Sequence, residues 1–146
     1  MTAVTTDAAT EITALIRARP QLIHDKDAEA LVAQSAPDVI TFDALPPLAW
    51  QGSDALREKI ATWFGGYASP ITVTIRDLQV TARDDIGFAH YLYRVTGTTT
   101  DGTDVDMWVR ATLGLVKQDG AWQVTHEHTS VPFDAATGRA ALDLQP

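Results

Sequence analysis

Cysteine is absent from the 146 residues. That absence excludes disulfide frameworks, Cys-ligated zinc and thiol nucleophiles. A basic stripe is also lacking. Eight Arg and three Lys are scattered along a chain that carries 19 acidic residues, and the formal net charge is −8. Nucleic acids and anionic membranes attract the opposite sign or a basic patch, so neither is expected as a partner. No run approaches the roughly 18 apolar residues of a membrane span. The stretch Met1 to Thr10 lacks the basic flank and apolar centre of a signal peptide, so a cytoplasmic location is expected. Repeats and low-complexity segments are absent. Glutamate is scarce: of the 19 acids, 15 are Asp and four are Glu. Aspartate favours turns and helix caps rather than helix interiors, which places most of the negative charge at turns on the surface.

What is present describes an ordinary globule. Hydrophobic residues make up 45% and charged residues 21%, and the length suits one domain spanning 1–146. The first third has helical spacing. Ile12, Leu15, Ile16, Leu22 and Ile23 recur near a 3.6-residue period, with Thr6 or Asp7 as N-cap and Pro20 expected to kink or break the helix. Asp27 caps a second short helix, Ala28 to Gln34. Val39 to Phe42 is a short β-type run that ends at Asp43. Ala44 to Gly52, with Pro46-Pro47, is expected to be a loop, and Ser53 to cap a third helix that ends at Gly65-Gly66. Three long strands follow Ile71, separated by turn signals at Asp84-Asp85, Asp101-Gly102 and Asp119-Gly120, and a last strand stops at Pro132. The fold class is α+β, with helices on one face of a bent, mostly antiparallel sheet.

Strand side chains alternate between faces. The even positions of the last strand are Trp122, Val124, His126, His128 and Ser130. The strand before it has Trp108, Arg110 and Thr112 in one set and the wholly apolar Met107, Val109, Ala111, Leu113 and Leu115 in the other. Between Gly87 and Thr98, Phe88, His90, Leu92 and Arg94 oppose Ala89, Tyr91, Tyr93 and Val95. A face that mixes aromatics with His, Arg and Thr has the texture of a ligand pocket. The even face is therefore expected to line a cavity, and the opposite face, apolar in one strand and polar in the next, to be partly covered by a partner subunit.

Trp63-Phe64 through Ile75-Arg76-Asp77-Leu78, Met107 to Thr112, and above all Gly120 to Phe133 with its Trp–His–Glu–His–x–Ser–Val–Pro pattern resemble the SnoaL-like and ketosteroid-isomerase-like families. Both belong to the nuclear-transport-factor-2-like superfamily. The resemblance spans roughly Ile12 to Leu144. It implies a cone-shaped α+β barrel with a deep cavity, a homodimer through the outer face of the sheet, and cofactor-free acid/base chemistry. Steroid isomerases of this group place a general-base Asp after the first short strand, where Asp43 stands. Their oxyanion-hole Tyr and Asp fall near Arg19 and near Trp108 to Arg110, and this chain has neither hydroxyl there.

The candidate catalytic residues are Asp43, His126 and His128, and the candidate substrate contacts are Trp63, His90, Trp108, Arg110, Thr112 and Ser130. One carboxylate, two imidazoles and a guanidinium would suit isomerisation, cyclisation, dehydration or hydrolysis of a small apolar molecule. Tyr67 is a further cavity candidate. No cofactor and no metal are expected, although the His pair with His90 or Asp43 is the nearest approach to a ligand set. A non-catalytic ligand carrier or dimeric interaction module is the alternative. Ser130 lacks the G-x-S-x-G context of a hydrolase nucleophile.

Overall fold

The computed structural model describes residues 7–146. The chain runs α1 (Ala8–His24), α2 (Ala28–Ala33), β1 (Ser35–Phe42), β2 (Trp50–Gln51), α3 (Ser53–Gly65), β3 (Thr72–Arg83), β4 (Ile86–Thr98), β5 (Asp104–Gln118) and β6 (Ala121–Ser130). One six-stranded sheet has the order β2-β1-β6-β5-β4-β3. All neighbours are antiparallel except β1 and β6, which are parallel. The α+β class and the mostly antiparallel sheet are as expected.

Local chemistry accounts for the helix ends. Asp7 caps α1 by accepting from the Thr10 amide at 2.7 Å, and Asp27 caps α2 from the Ala30 amide at 3.1 Å. Thr6, the other candidate cap, lies outside the described residues. Ile12, Ile16, Arg19 and Ile23 form the buried stripe of α1. The helix runs through Pro20 instead of breaking there. Gln34 ties down the preceding turn by donating to the Leu15 carbonyl at 2.9 Å. Ser53 is the first residue of α3 rather than its cap. The capping position belongs to Gly52, whose φ of 86° favours glycine, and Ser53 Oγ donates to the Pro37 carbonyl instead.

Strand ends differ where tertiary pairing decides them. β1 begins at Ser35, earlier than its apolar run, because Ser35 pairs with Val124 of β6 across an irregularity that accommodates Pro37. Trp50 and Gln51 leave the expected loop to pair with Thr41 and Ile40. Asp119 and Gly120, with φ of 51° and 80°, make the β5–β6 turn that their sequence signals. The helices pack on one face of the sheet. Gly87 lets α1 come close, since a Cβ there would stand 2.7 Å from Ile12 Cδ1.

Two bulges determine which side chains face the helices. In β3, Asp77 with φ 56° begins a register shift between Arg76 and Gln79. In β6, Leu115 pairs with Val124 but Gly114 pairs with His126, so Thr125 is an extra residue. A bulge reverses the alternation beyond it. Trp122 and Val124 point into the core before the bulge, whereas Glu127 and Thr129 point inward after it. The apolar set of β5 faces the same way and forms the core with Tyr91, Val95 and the helix stripes.

Candidate functional site

Between the helices and the concave side of the sheet lies a cavity. Its walls are Ile23, Leu31, Leu56, Ile60, Trp63, Val73 and Ile75, and its polar groups are Arg19, Ser35, Lys59, Tyr91, Tyr93, Glu127 and Thr129. The space open to the centres of water-sized molecules is about 70 Å³. The mixture of apolar walls and a few convergent polar groups is that of a small-molecule site.

Two ion pairs organise the polar groups. Arg19 Nη1 donates to Glu127 Oε1 at 2.9 Å, and Arg19 Nε donates to Gln34 Oε1 at 2.9 Å. Burial opposes charge on both residues. The Glu127 carboxylate nevertheless raises the Arg19 pKa further. Burial pushes the Glu127 carboxyl up, but Arg19, Lys59 and His126 together bring it below its ordinary value. At the cavity edge, Lys59 Nζ lies 3.6 Å from Asp43 Oδ1, with side chains 19% and 18% exposed. Thr129 Oγ1 donates to Asp43 Oδ1 at 2.8 Å and accepts from the Ala44 amide at 3.2 Å. That relay fixes the Asp43 carboxylate beside two cavity-lining residues, Lys59 and Thr129. Burial, reinforced by the charges of Glu127 and Asp43, pushes the Tyr93 phenol well above its ordinary pKa, so it stays protonated.

The structure brings Asp43 and Trp63 to this cavity and leaves the other candidates outside it. His90, Trp108, Arg110, Thr112, His126, His128 and Ser130 lie on the outer, convex face of the sheet. The expected face assignment is therefore reversed. For β6 the bulge at Thr125 is the reason: His126 and His128 do not share the inward direction of Trp122 and Val124. β4 and β5 pair without a shift, so His90, Trp108, Arg110 and Thr112 face outward because the apolar set of β5 faces the core. Along the outer face, Ile40, His126, Gly114 and Phe88 form one cross-strand row, and Phe42, His128, Thr112 and His90 form the next. His126 Nδ1 lies 2.8 Å from the Ile40 carbonyl, and Phe42 packs edge-on to His126 and His128 at centroid distances of 4.8 and 5.6 Å. Arg110 Nε donates to Ser130 Oγ at 3.0 Å, and Trp108 Nε1 to Gln145 Oε1 at 3.3 Å. Asp43 points to the opposite side of the sheet from the imidazoles. Among the described residues no three His, Asp or Glu side chains come together as a metal site would require. Tyr67 does not line the cavity and packs against Gly97, whose missing side chain admits its ring.

The residues that sequence reasoning missed are Arg19, Lys59, Tyr91, Tyr93, Glu127 and Thr129. The available signal was the wholly apolar set of β5. Taking it as the core face and pairing β4 against it puts Tyr91 and Tyr93 inside, opposite Ala111 and Val109.

Among the described residues no helix is long and apolar enough to cross a membrane. Residues 12–134 match the SnoaL-like domain family. No curated protein matches the chain. An NTF2-like protein of unknown function from Pseudomonas putida KT2440 is 35% identical, with TM-score 0.89 over 97% of this chain and 99% of that one. A ketosteroid isomerase-like protein from Erwinia carotovora atroseptica SCRI1043 is 22% identical, with TM-score 0.74 over 86% and 97%. An NTF2-like protein with a cystatin-like fold from Novosphingobium aromaticivorans is 17% identical, with TM-score 0.71 over 88% and 84%. The last two share the fold alone. The chain belongs to the SnoaL-like family of the NTF2-like superfamily.

Proposed function

We propose that this chain is a cofactor-free acid/base enzyme, of isomerase, cyclase, dehydratase or hydrolase type, acting on a small, largely apolar molecule in the concave cavity. The observation that supports this most is the Asp43 carboxylate. Its Oδ1 is held by Thr129 and faces Lys59, and among the described residues its Oδ2 has no hydrogen-bond partner. A carboxylate oriented through one oxygen leaves the other to accept a proton from a bound substrate. Tyr93, kept as the phenol, is placed to donate to a substrate oxygen on which charge develops. Apolar walls exclude water and strengthen both interactions.

The test is deuterium exchange. The protein is incubated in D₂O with a panel of small cyclic alcohols, enols and ketones, followed by mass spectrometry and NMR. The expected result is deuterium incorporation or conversion of at least one compound above the buffer rate. Binding without any chemical change would contradict the enzyme reading and leave a ligand carrier.

A second copy of the chain is proposed to cover the outer face of the sheet. Supporting this, Ile40, Phe42 and Phe88 stand there 39%, 40% and 49% exposed in adjoining rows. Sedimentation equilibrium is expected to show a dimer that Phe42→Asp converts to monomer. A monomeric wild type at micromolar concentration would contradict it.

A further inference from the structure

We propose that the cavity selects an uncharged ligand about one six-membered ring in size that carries a hydroxyl group, which donates to Glu127 and accepts from Tyr93. This rests on the reading that the concave cavity is the ligand site, and it names the chemistry that the site would take.

Charge comes first. The cations lining the cavity are Arg19 and Lys59; its carboxylate is Glu127, and Asp43 stands beside it against Lys59. Each cation faces one carboxylate, at 2.9 Å and 3.6 Å respectively. The set is neutral as it stands. A ligand carboxylate or phosphate would find each cation already facing a carboxylate and would meet the like charges of Glu127 and Asp43, and a ligand cation would meet Arg19 and Lys59. Either would be desolvated without compensation.

The remaining hydrogen-bond capacity is specific. Glu127 Oε1 is taken by Arg19, and among the described residues Glu127 Oε2 has no hydrogen-bond partner. The same holds for the Tyr93 hydroxyl. Neither atom is sealed from the cavity, since among the described residues the buried orphan atom is Trp50 Nε1 elsewhere. A carboxylate oxygen can only accept. A phenol held in its protonated form has a proton to give. The two groups are complementary, one an acceptor and one a donor, and both line the same small cavity. A ligand hydroxyl has the proton that the first accepts and the lone pair that takes the second's proton. A ketone or ether can accept from Tyr93 but would leave the carboxylate oxygen desolvated and unpaired, which is the costly outcome.

Size completes the description. At roughly 10–15 Å³ per water centre, about 70 Å³ holds a handful of waters, hence a ligand of about one ring. A four-ring skeleton does not fit in that space.

The test uses cyclohexanol, cyclohexanone and benzoate, titrated into the full chain and followed by two-dimensional NMR, which reads weak affinities. Cyclohexanol is expected to bind at least tenfold more tightly than the other two, with shifts at Tyr93, Glu127 and Trp63. Glu127→Gln replaces the accepting oxygen by an amide that can donate. It is therefore expected to reverse the order, so that the ketone binds better than the alcohol. Tyr93→Phe keeps the ring and is expected to weaken both neutral ligands alike, which gives a check should the Glu127 variant fold poorly. Equal binding of alcohol and ketone would overturn the hydroxyl requirement while keeping the cavity as the ligand site. Preference for benzoate would overturn the neutral-pocket argument. Binding of none would overturn both the inference and the cavity reading.

Discussion

Truncating Arg19 to alanine is expected to destabilise the protein by about 3–5 kcal/mol, the largest stability effect predicted here. Arg19 is buried in α1 and holds Glu127 of β6 across a long stretch of sequence. A buried pair gives little net stability, because two charges leave water to form it. Removing one partner is a different matter, since the Glu127 carboxylate would remain desolvated and lose its main counter-charge. Thermal unfolding should show a fall in Tm on the order of 10 °C for a chain of this size. Adding Glu127→Leu to the Arg19 variant should recover most of that loss. No recovery would show that packing, not charge, makes Arg19 important. The pH dependence carries a sign. In the wild type the Glu127 pKa is depressed, so its contribution is full above the ordinary glutamate value and is lost as pH falls through and below about 4.3. Without Arg19, burial dominates and Glu127 is pushed upward. Its contribution is then present at low pH and lost as pH rises. The variant is therefore expected to gain stability relative to the wild type as pH falls from 7 to 5.

Asp43→Asn is expected to lower turnover by at least a hundredfold, within the 10²–10⁴ range typical of a general base. Asparagine keeps the shape and still accepts from Thr129 through its carbonyl oxygen. The lost Lys59 contact is long and partly solvated, so stability should change by less than about 1 kcal/mol. A large rate loss in a protein that melts normally separates chemistry from folding. KM should move little, because Asp43 sits at the cavity edge and Trp63, Tyr91 and the aliphatic walls supply the contacts. A variant that retains full rate would remove Asp43 from the mechanism.

Much of the fold was legible because its signals are local. Asp7 and Asp27 cap helices through their own side chains, Asp119-Gly120 turns where it should, and the α1 stripe of Ile12, Ile16 and Ile23 has helical spacing. Of the residues expected at the cavity, Trp63 lines it and Asp43 stands beside it, against Lys59 and Thr129. A mixed polar and aromatic face reads as a pocket and puts His90, Trp108, Arg110 and Thr112 on the cavity side, whereas it is the apolar set of β5 that faces the core. The position of His126 and His128 relative to Trp122 depended on one residue, Thr125. A bulge adds a residue to one strand against its neighbour, so it exists only in the pairing of β6 with β5. Alternation counted along β6 alone therefore put His126 and His128 with Trp122, when they are on opposite sides. Arg19 and Glu127 were hidden for a related reason. Each is unremarkable in its own element, and only the packing of α1 over β6 makes them a pair. The same holds for β2, whose two residues become a strand by pairing with β1.

The central claim is that chemistry belongs to the concave cavity and not to the histidine-bearing face. Side-by-side turnover of Asp43→Asn and of the double variant His126→Gln/His128→Gln, on whichever compound the deuterium panel identifies, tests it most directly. The predicted result is a loss of at least a hundredfold in the first and a rate within about twofold of wild type in the second. Loss of activity in the histidine variant, with activity kept in the Asp43 variant, would contradict the account and return the site to the outer face.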